Sequence, residues 1–291
     1  MPMSAPASRA LPFAFVVLWS TGFIGARLGL PHAGALTFLT LRYLAVLALM
    51  SALALAARAP WPARPREWVH IGVAGLLVHG VYLGGVFIAI GRGLPAGITS
   101  IVVGLQPLLT ALAAGALFGE RVGTRQWLGL ALGFAGVALV VAGRDGGRLD
   151  AGFELSALLP AMAALVGITA GMLYQKRWCP RFDWRTGAVA QFLPTALITA
   201  AAAALTETLQ VQWTAEFWIA LGWLVLVLSL GAVSLLNLLI ARGSAVNTAS
   251  LFYLVPPCTA LFAHLLFGET LPGPALAGMA LAAWGVFLAR R

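Results

Sequence analysis

Residues 96–139 recur without a gap at residues 245–288. About 18 of the 44 aligned positions are identical. Among them are Thr99/Thr248, Pro107/Pro256, Thr110/Thr259, the run Phe118-Gly119-Glu120/Phe267-Gly268-Glu269, Gly129/Gly278 and Gly136/Gly285. Shared apolar composition rarely keeps a proline and a Phe-Gly-Glu run in phase, so the chain is an internal duplication and folds as two copies of one unit.

The solvent of that fold follows from composition. The chain is 61% hydrophobic and only 9% charged, whereas a soluble domain carries about a quarter charged side chains, so these residues belong in a bilayer. The net charge of +9 sits in short loops between apolar runs, where basic residues orient helices across a membrane. It does not point to nucleic acid, whose recognition needs a basic face on a folded surface. Cys179 and Cys258 have no neighbour at metal or redox spacing and read as packing residues. Arg9 followed by an apolar run mimics a secretory signal, but the run exceeds the usual ~7–15 residues and is the first of many, so it reads as the first span.

Apolar runs of about 20 residues match a hydrocarbon core of ~30 Å. Ten lie near 11–30, 34–57, 68–90, 95–118, 126–142, 156–175, 186–206, 217–240, 245–267 and 272–289. With the N-terminus inside, 13 of the 18 basic residues fall on the cytoplasmic side, Arg27, Arg92, Arg144 and Arg148 fall outside, and Arg42 lies within the second span. This is the positive-inside asymmetry with both termini cytoplasmic. Five spans per copy is an odd number, so the copies (1–145 and 146–291) insert in opposite orientations. The loop charges agree: Arg121 and Arg125 follow the first Phe-Gly-Glu, whereas Thr270 and Pro274 follow the second. The expected fold is therefore all-α integral membrane, ten transmembrane helices in two inverted five-helix repeats, an architecture that places a substrate site near the midplane.

Arg42 in the second span, flanked as Leu41-Arg42-Tyr43, and the Thr, Pro and Phe-Gly-Glu positions before a Gly-rich closing helix in both copies resemble the drug/metabolite transporter superfamily, EamA type. The resemblance covers essentially the whole chain, and within the family bacterial exporters of aromatic and other hydrophobic amino acids are the nearest match. The second copy departs from the first in having Gln191 where the first has Arg42. The resemblance implies a monomeric inner-membrane carrier with a cavity lined by spans 1, 3, 4, 6, 8 and 9.

Polar or aromatic side chains deep in a span are the cavity candidates, since lipid-facing positions are aliphatic. His79 and Tyr82 stand three apart and share a helix face. Trp19 and Thr21 lie centrally in the first span, too deep for the interfacial belt to which Trp61, Trp68, Trp127, Trp178, Trp184, Trp213 and Trp218 are assigned. Thr99, Gln106 and Tyr253 neighbour Pro107 and Pro256, which free backbone carbonyls or act as hinges. Tyr174, Ser229 and Asn237 complete the set. Each of these could instead serve packing or an interhelical hydrogen bond. Arg42 is expected to snorkel outward or to hold backbone carbonyls, and Glu120 and Glu269 to act as helix-end or gate-side residues.

Absences narrow the chemistry. All nine acidic residues fall in loops or at span ends, against the buried carboxylate a cationic-drug antiporter needs. Apart from Arg42 the spans offer no convergent cations for a phosphate. No phosphate-cradling Gly-x-x-x-x-Gly-Lys-Ser/Thr loop, metal cluster or cofactor motif is present, and no cofactor is expected. The small-residue spacing of Gly129, Gly133 and Gly136 reads as close helix packing. The expectation is an inner-membrane secondary transporter, not an enzyme, that exports aromatic or hydrophobic amino acids or related metabolites by alternating access. Its partners are the small-molecule substrate and the lipid bilayer, without nucleic acid. The alternatives are a drug or nucleoside efflux carrier coupled to protons through His79 and, further off, a scaffold or intramembrane enzyme.

Overall fold

A computed structural model describes residues 5–92, 94, 99, 102–144, 155–179, 181–268 and 271–289. The chain is all-α: α1 (Ala5–Gly29), α2 (Ala35–Ala56), α3 (Pro65–Gly91), α4 (Gln106–Phe118), α5 (Thr124–Arg144), α6 (Leu158–Trp178), α7 (Trp184–Thr206), α8 (Ala215–Arg242), α9 (Ala245–Ser250), α10 (Val255–Phe267) and α11 (Gly273–Ala289). Eight segments among the described residues are long and apolar enough to cross a bilayer, the eighth being Ala245–Leu266, and α4 and α11 are shorter apolar helices. Glu269 and the loop containing Asp145 and Asp150 lie outside the described residues.

The duplication extends well beyond the 44 matched positions. Helices α2 and α7 begin at Ala35 and Trp184, the same offset that separates the sequence copies. Two stretches of wider π-helix also correspond, Leu76–Leu83 within α3 and Leu224–Ala232 within α8. Pro107 and Pro256 do not kink a helix interior: each sits in the first turn of its helix, where its missing N–H has no partner to lose. In the second copy a short 3-10 turn, Leu251–Leu254, separates α9 from α10, so this span is broken just before the proline. Gly119 and Gly268 end α4 and α10 with φ of +66° in both cases, a left-handed cap that glycine adopts at no steric cost.

The chain forms two compact units, each drawing on both copies. One comprises Met1–Ile24, Pro95–Gly152 and Gly231–Arg291, the other Gly25–Leu94 and Phe153–Leu230. In the first unit α5 packs along α11 through glycines on both sides. A Cβ on Gly129 would meet Gly285 O at 2.6 Å, and a Cβ on Gly278 would meet Gly136 O at 2.6 Å. Position rises on one helix as it falls on the other, so these equivalent helices run antiparallel, as inversion requires. Each such pair also maps onto the other when the copies are exchanged. In the second unit α2 packs on α7, and α3 packs on α6 and α7. Gly75 allows the backbones of α3 and α7 to approach, since a Cβ there would lie 2.5 Å from Gln191 Cα.

Helix ends in both units are tied by carboxylates. In the second unit Glu207 accepts the N–H groups of Leu36 and Thr37 at 2.8 Å each and the Thr37 hydroxyl at 2.6 Å, holding the open N-terminus of α2. In the first unit Glu120 accepts the N–H of Ala245 at 3.0 Å, at the start of α9. The outer surface is aliphatic, with Leu55, Leu159, Leu205 and Leu265 each at least two-thirds exposed, a surface suited to lipid and not to water. Trp61, Trp178, Trp184, Trp213 and Trp218 are exposed at or near helix ends, where an interfacial belt belongs.

Candidate functional site

In the second unit the chemistry gathers where α2, α3 and α7 pack together and α2 reaches the π-helical part of α8. A π turn carries an extra residue, so it displaces carbonyls from the regular ladder and re-aims side chains. The carbonyl of His79, inside the π stretch of α3, accepts the Tyr43 hydroxyl at 2.8 Å. The hydroxyl of Ser229, inside the π stretch of α8, donates to Leu224 O five residues back at 3.0 Å. The imidazole of His79 stacks on Phe192 with centroids 4.3 Å apart and planes 17° from parallel, and Tyr43 packs on the same Phe192 ring at 5.4 Å. Gln191 bonds the His79 side chain, and its amide also donates to Gln175 Oε1 at 3.2 Å. His79 Nδ1 is buried without a protein partner. Tyr82 is buried on the same face.

Arg42 is 1% exposed, and it neither snorkels nor holds backbone carbonyls. Its Nε and Nη2 both donate to Ser229 Oγ, at 3.2 and 3.1 Å.

The first unit holds a second aromatic group. Phe15, Trp19 and Phe252 form a triangle with centroids 5.3, 5.4 and 5.5 Å apart. Beside it Ser20 donates to Val16 O at 2.7 Å and lies 3.2 Å from Val255 O, and Thr259 donates to Ser20 O at 3.3 Å. Val255 opens α10, so the contact with Ser20 ties the start of α10 to α1. Tyr253, on the 3-10 turn, is wholly buried with its ring against Gly133, and its hydroxyl has no protein partner. Thr21 donates to Leu18 O at 2.7 Å within its own helix. Gln106 donates to Thr110 Oγ1 at 3.1 Å. Thr99 and Asn237 are buried.

The expected site residues therefore fall into two sets. Trp19, Thr21, Thr99, Gln106, Asn237 and Tyr253, with Pro107, Pro256 and Glu120, belong to the first unit, and Arg42, His79, Tyr82, Tyr174 and Ser229 to the second. Tyr174 stands apart from the His79 group, toward the C-terminal end of α6, where its hydroxyl is 2.7 Å from His70 Nδ1 and its ring packs on Trp178 at 4.8 Å. Tyr43, Phe192, Gln175, Phe15 and Phe252 enter these groups without having been singled out. A signal for two of them exists in the repeat: Tyr43 and Phe192 occupy equivalent positions, each one residue after the Arg42/Gln191 pair, and equivalent aromatics that both point inward meet near the axis relating the copies. Among the described residues no group of three or more His, Cys, Asp or Glu could hold a metal ion.

Comparison with known proteins agrees with this architecture. The EamA-like transporter family matches residues 10–142 and again residues 155–291. An uncharacterised inner membrane transporter of Escherichia coli (strain K12), YedA, is 28% identical over 260 residues, covering 89% of this chain and 82% of its own. A probable amino-acid metabolite efflux pump of Salmonella typhimurium is 27% identical, covering 96% and 93%. A probable terminal-alkyne amino-acid exporter of Streptantibioticus cattleyicolor is 28% identical, covering 95% and 91%. A solved crystal structure with 26% identity superposes with a TM-score of 0.79 over 98% of this chain and 97% of its own. A duplicated, inverted, all-helical chain with these matches over both copies is a multi-pass inner-membrane transporter, and it belongs to the EamA-like transporter family.

Proposed function

We propose that this protein exports aromatic or hydrophobic amino acids, or closely related metabolites, by alternating access, as a carrier with both termini cytoplasmic. The observation that carries the reading is the pairing, at mid-span, of buried aromatic rings with hydrogen-bonding atoms that lack protein partners: His79 Nδ1 beside Phe192 and Tyr43, and the Tyr253 hydroxyl. Rings hold an apolar side chain, and a few placed polar atoms orient the rest of a small molecule. The Salmonella and Streptantibioticus relatives, named as an amino-acid metabolite efflux pump and an amino-acid exporter, support the same class.

The absence of a carboxylate among the buried polar residues described favours facilitated movement down the substrate's own gradient. Purified protein in liposomes decides the matter. Counterflow of labelled phenylalanine, threonine or methionine without a pH gradient supports the facilitator. Strict dependence on such a gradient, lost in His79→Ala, replaces it with proton coupling. Absence of flux for any amino acid, with flux of a drug or nucleoside, overturns the substrate class. The orientation is checked by cysteine accessibility, with 145–150 expected outside and 181–185 inside; the opposite pattern at either segment rejects it.

A further inference from the structure

Among the described residues, the one charge buried within a span has no counter-charge. Arg42 has 1% of its surface exposed and, among the described residues, no carboxylate within ion-pair distance. The ionisable groups around it are Tyr43, Tyr82 and His79, none of which carries a negative charge at neutral pH. Among the described residues its hydrogen bonds go to a single oxygen, Ser229 Oγ, reached from both Nε and Nη2 at 3.2 and 3.1 Å. A guanidinium presents five donors, and burying one on a lone hydroxyl leaves its charge uncompensated, an arrangement that a purely structural residue has no reason to keep.

The edge that Ser229 occupies is also informative. Nε and one terminal nitrogen form the planar fork that a carboxylate meets with two parallel hydrogen bonds. A hydroxyl held on that fork is a one-oxygen stand-in for a two-oxygen anion. Ser229 does not depend on Arg42, because its hydroxyl proton already goes to Leu224 O on its own π turn, so an anion can replace it on the fork without leaving that hydroxyl unpaired. We propose that Arg42, gated by Ser229, is the subsite that takes the carboxylate of the transported molecule. A single guanidinium with no second Lys or Arg matches one carboxylate and not a phosphate, which calls for convergent cations. The flanking rings of Tyr43 and Tyr82 suit an apolar body attached to that carboxylate.

This inference rests on the carrier reading above but makes a separate claim, that the recognised handle is an anion. The test is the thermal unfolding midpoint of the detergent-purified chain in the presence of phenylalanine, phenylalaninamide, 3-phenylpropionate or phenylethylamine. Both carboxylates should raise the midpoint of the wild type, with an affinity at least about tenfold above that of the amide, the usual span of a charge-assisted bidentate contact. Arg42→Met should abolish the discrimination. Because that variant can fail to fold, Ser229→Asp provides the second arm: its own carboxylate should fill the fork, raise the midpoint of the ligand-free protein and remove the response to added carboxylates. A wild type that responds equally to acid and amide, or a carboxylate response that survives in both variants, overturns the proposal. A response to 3-phenylpropionate without one to phenylalanine keeps the carboxylate subsite and removes the amino-acid reading.

Discussion

Replacing Gly285 by alanine adds one methyl group to the closest contact in the first unit. The new Cβ would lie against the backbone N of Gly133, 2.6 Å from Gly129 O and 2.7 Å from Gly133 Cα. Non-bonded carbon contacts settle at about 3.5–4.0 Å, so the overlap is roughly 1 Å. Every atom it strikes is backbone, and no rotamer change can relieve it. Helices α5 and α11 must move apart by about that amount and loosen the seam on both sides. Overpacking of this kind costs about 1–3 kcal/mol, against a gain of about 0.5–1 kcal/mol for replacing glycine by alanine inside a helix. The expected net loss is about 1–2 kcal/mol, a fall of several degrees in the unfolding midpoint at about 2–4 °C per kcal/mol for a chain of comparable size. Gly136→Ala, whose Cβ would sit 2.7 Å from Gly278 O and 2.8 Å from Ala282 Cα, should behave alike. Gly222→Ala, in α8 with nothing within 4 Å of its Cβ, should instead raise the midpoint by the helical gain alone. The assay is thermal unfolding of the detergent-solubilised protein followed by tryptophan fluorescence. Midpoints for Gly285→Ala and Gly136→Ala within about 1 °C of wild type, with Gly222→Ala stabilised, would refute the close backbone seam.

Glu207→Ala should destabilise the second unit by about 1–2 kcal/mol, because it strips two N–H groups and a hydroxyl at the start of α2 of their acceptor; an unchanged unfolding midpoint would count against the cap. The Arg185 guanidinium, bound to both Asp183 oxygens at 2.9 Å, holds the Asp183 carboxyl below the usual carboxylate range. Its stabilising effect is therefore complete above the ordinary aspartate value of about 3.9 and fades as pH falls through the lowered one. Asp183→Asn should flatten that acid limb by lowering stability at neutral pH, while leaving it unchanged below the lowered value. Burial pushes the Cys179 thiol up to about 12, so at pH 7.4 it should label slowly with maleimide in the folded protein and rapidly after denaturation in SDS, and equal rates would contradict its packing against His70 O.

Much of the fold was legible because the bilayer leaves few options. Apolar runs of span length must be helices, and an ungapped repeat announces two equivalent copies. The glycines at 129 and 136 announced a close packing face by their spacing alone. Fewer of the site's relations could be read in this way. Which helices pair is a long-range matter: α5 lies along α11 and α2 along α7, so the compact units cut across the copies that the sequence displays. The π turns at Leu76–Leu83 and Leu224–Ala232 left no sequence mark, since an apolar stretch reads alike at 3.6 or 4.4 residues per turn, yet they free the carbonyl that Tyr43 binds and aim Ser229 at its partner. Local pattern placed Arg42 in a span, and from depth alone a snorkelling or carbonyl-holding role followed. Only tertiary structure could decide that its fork ends on one hydroxyl, 187 positions away in the chain, because the partner of a buried charge is set by which helices touch and not by the residues beside it.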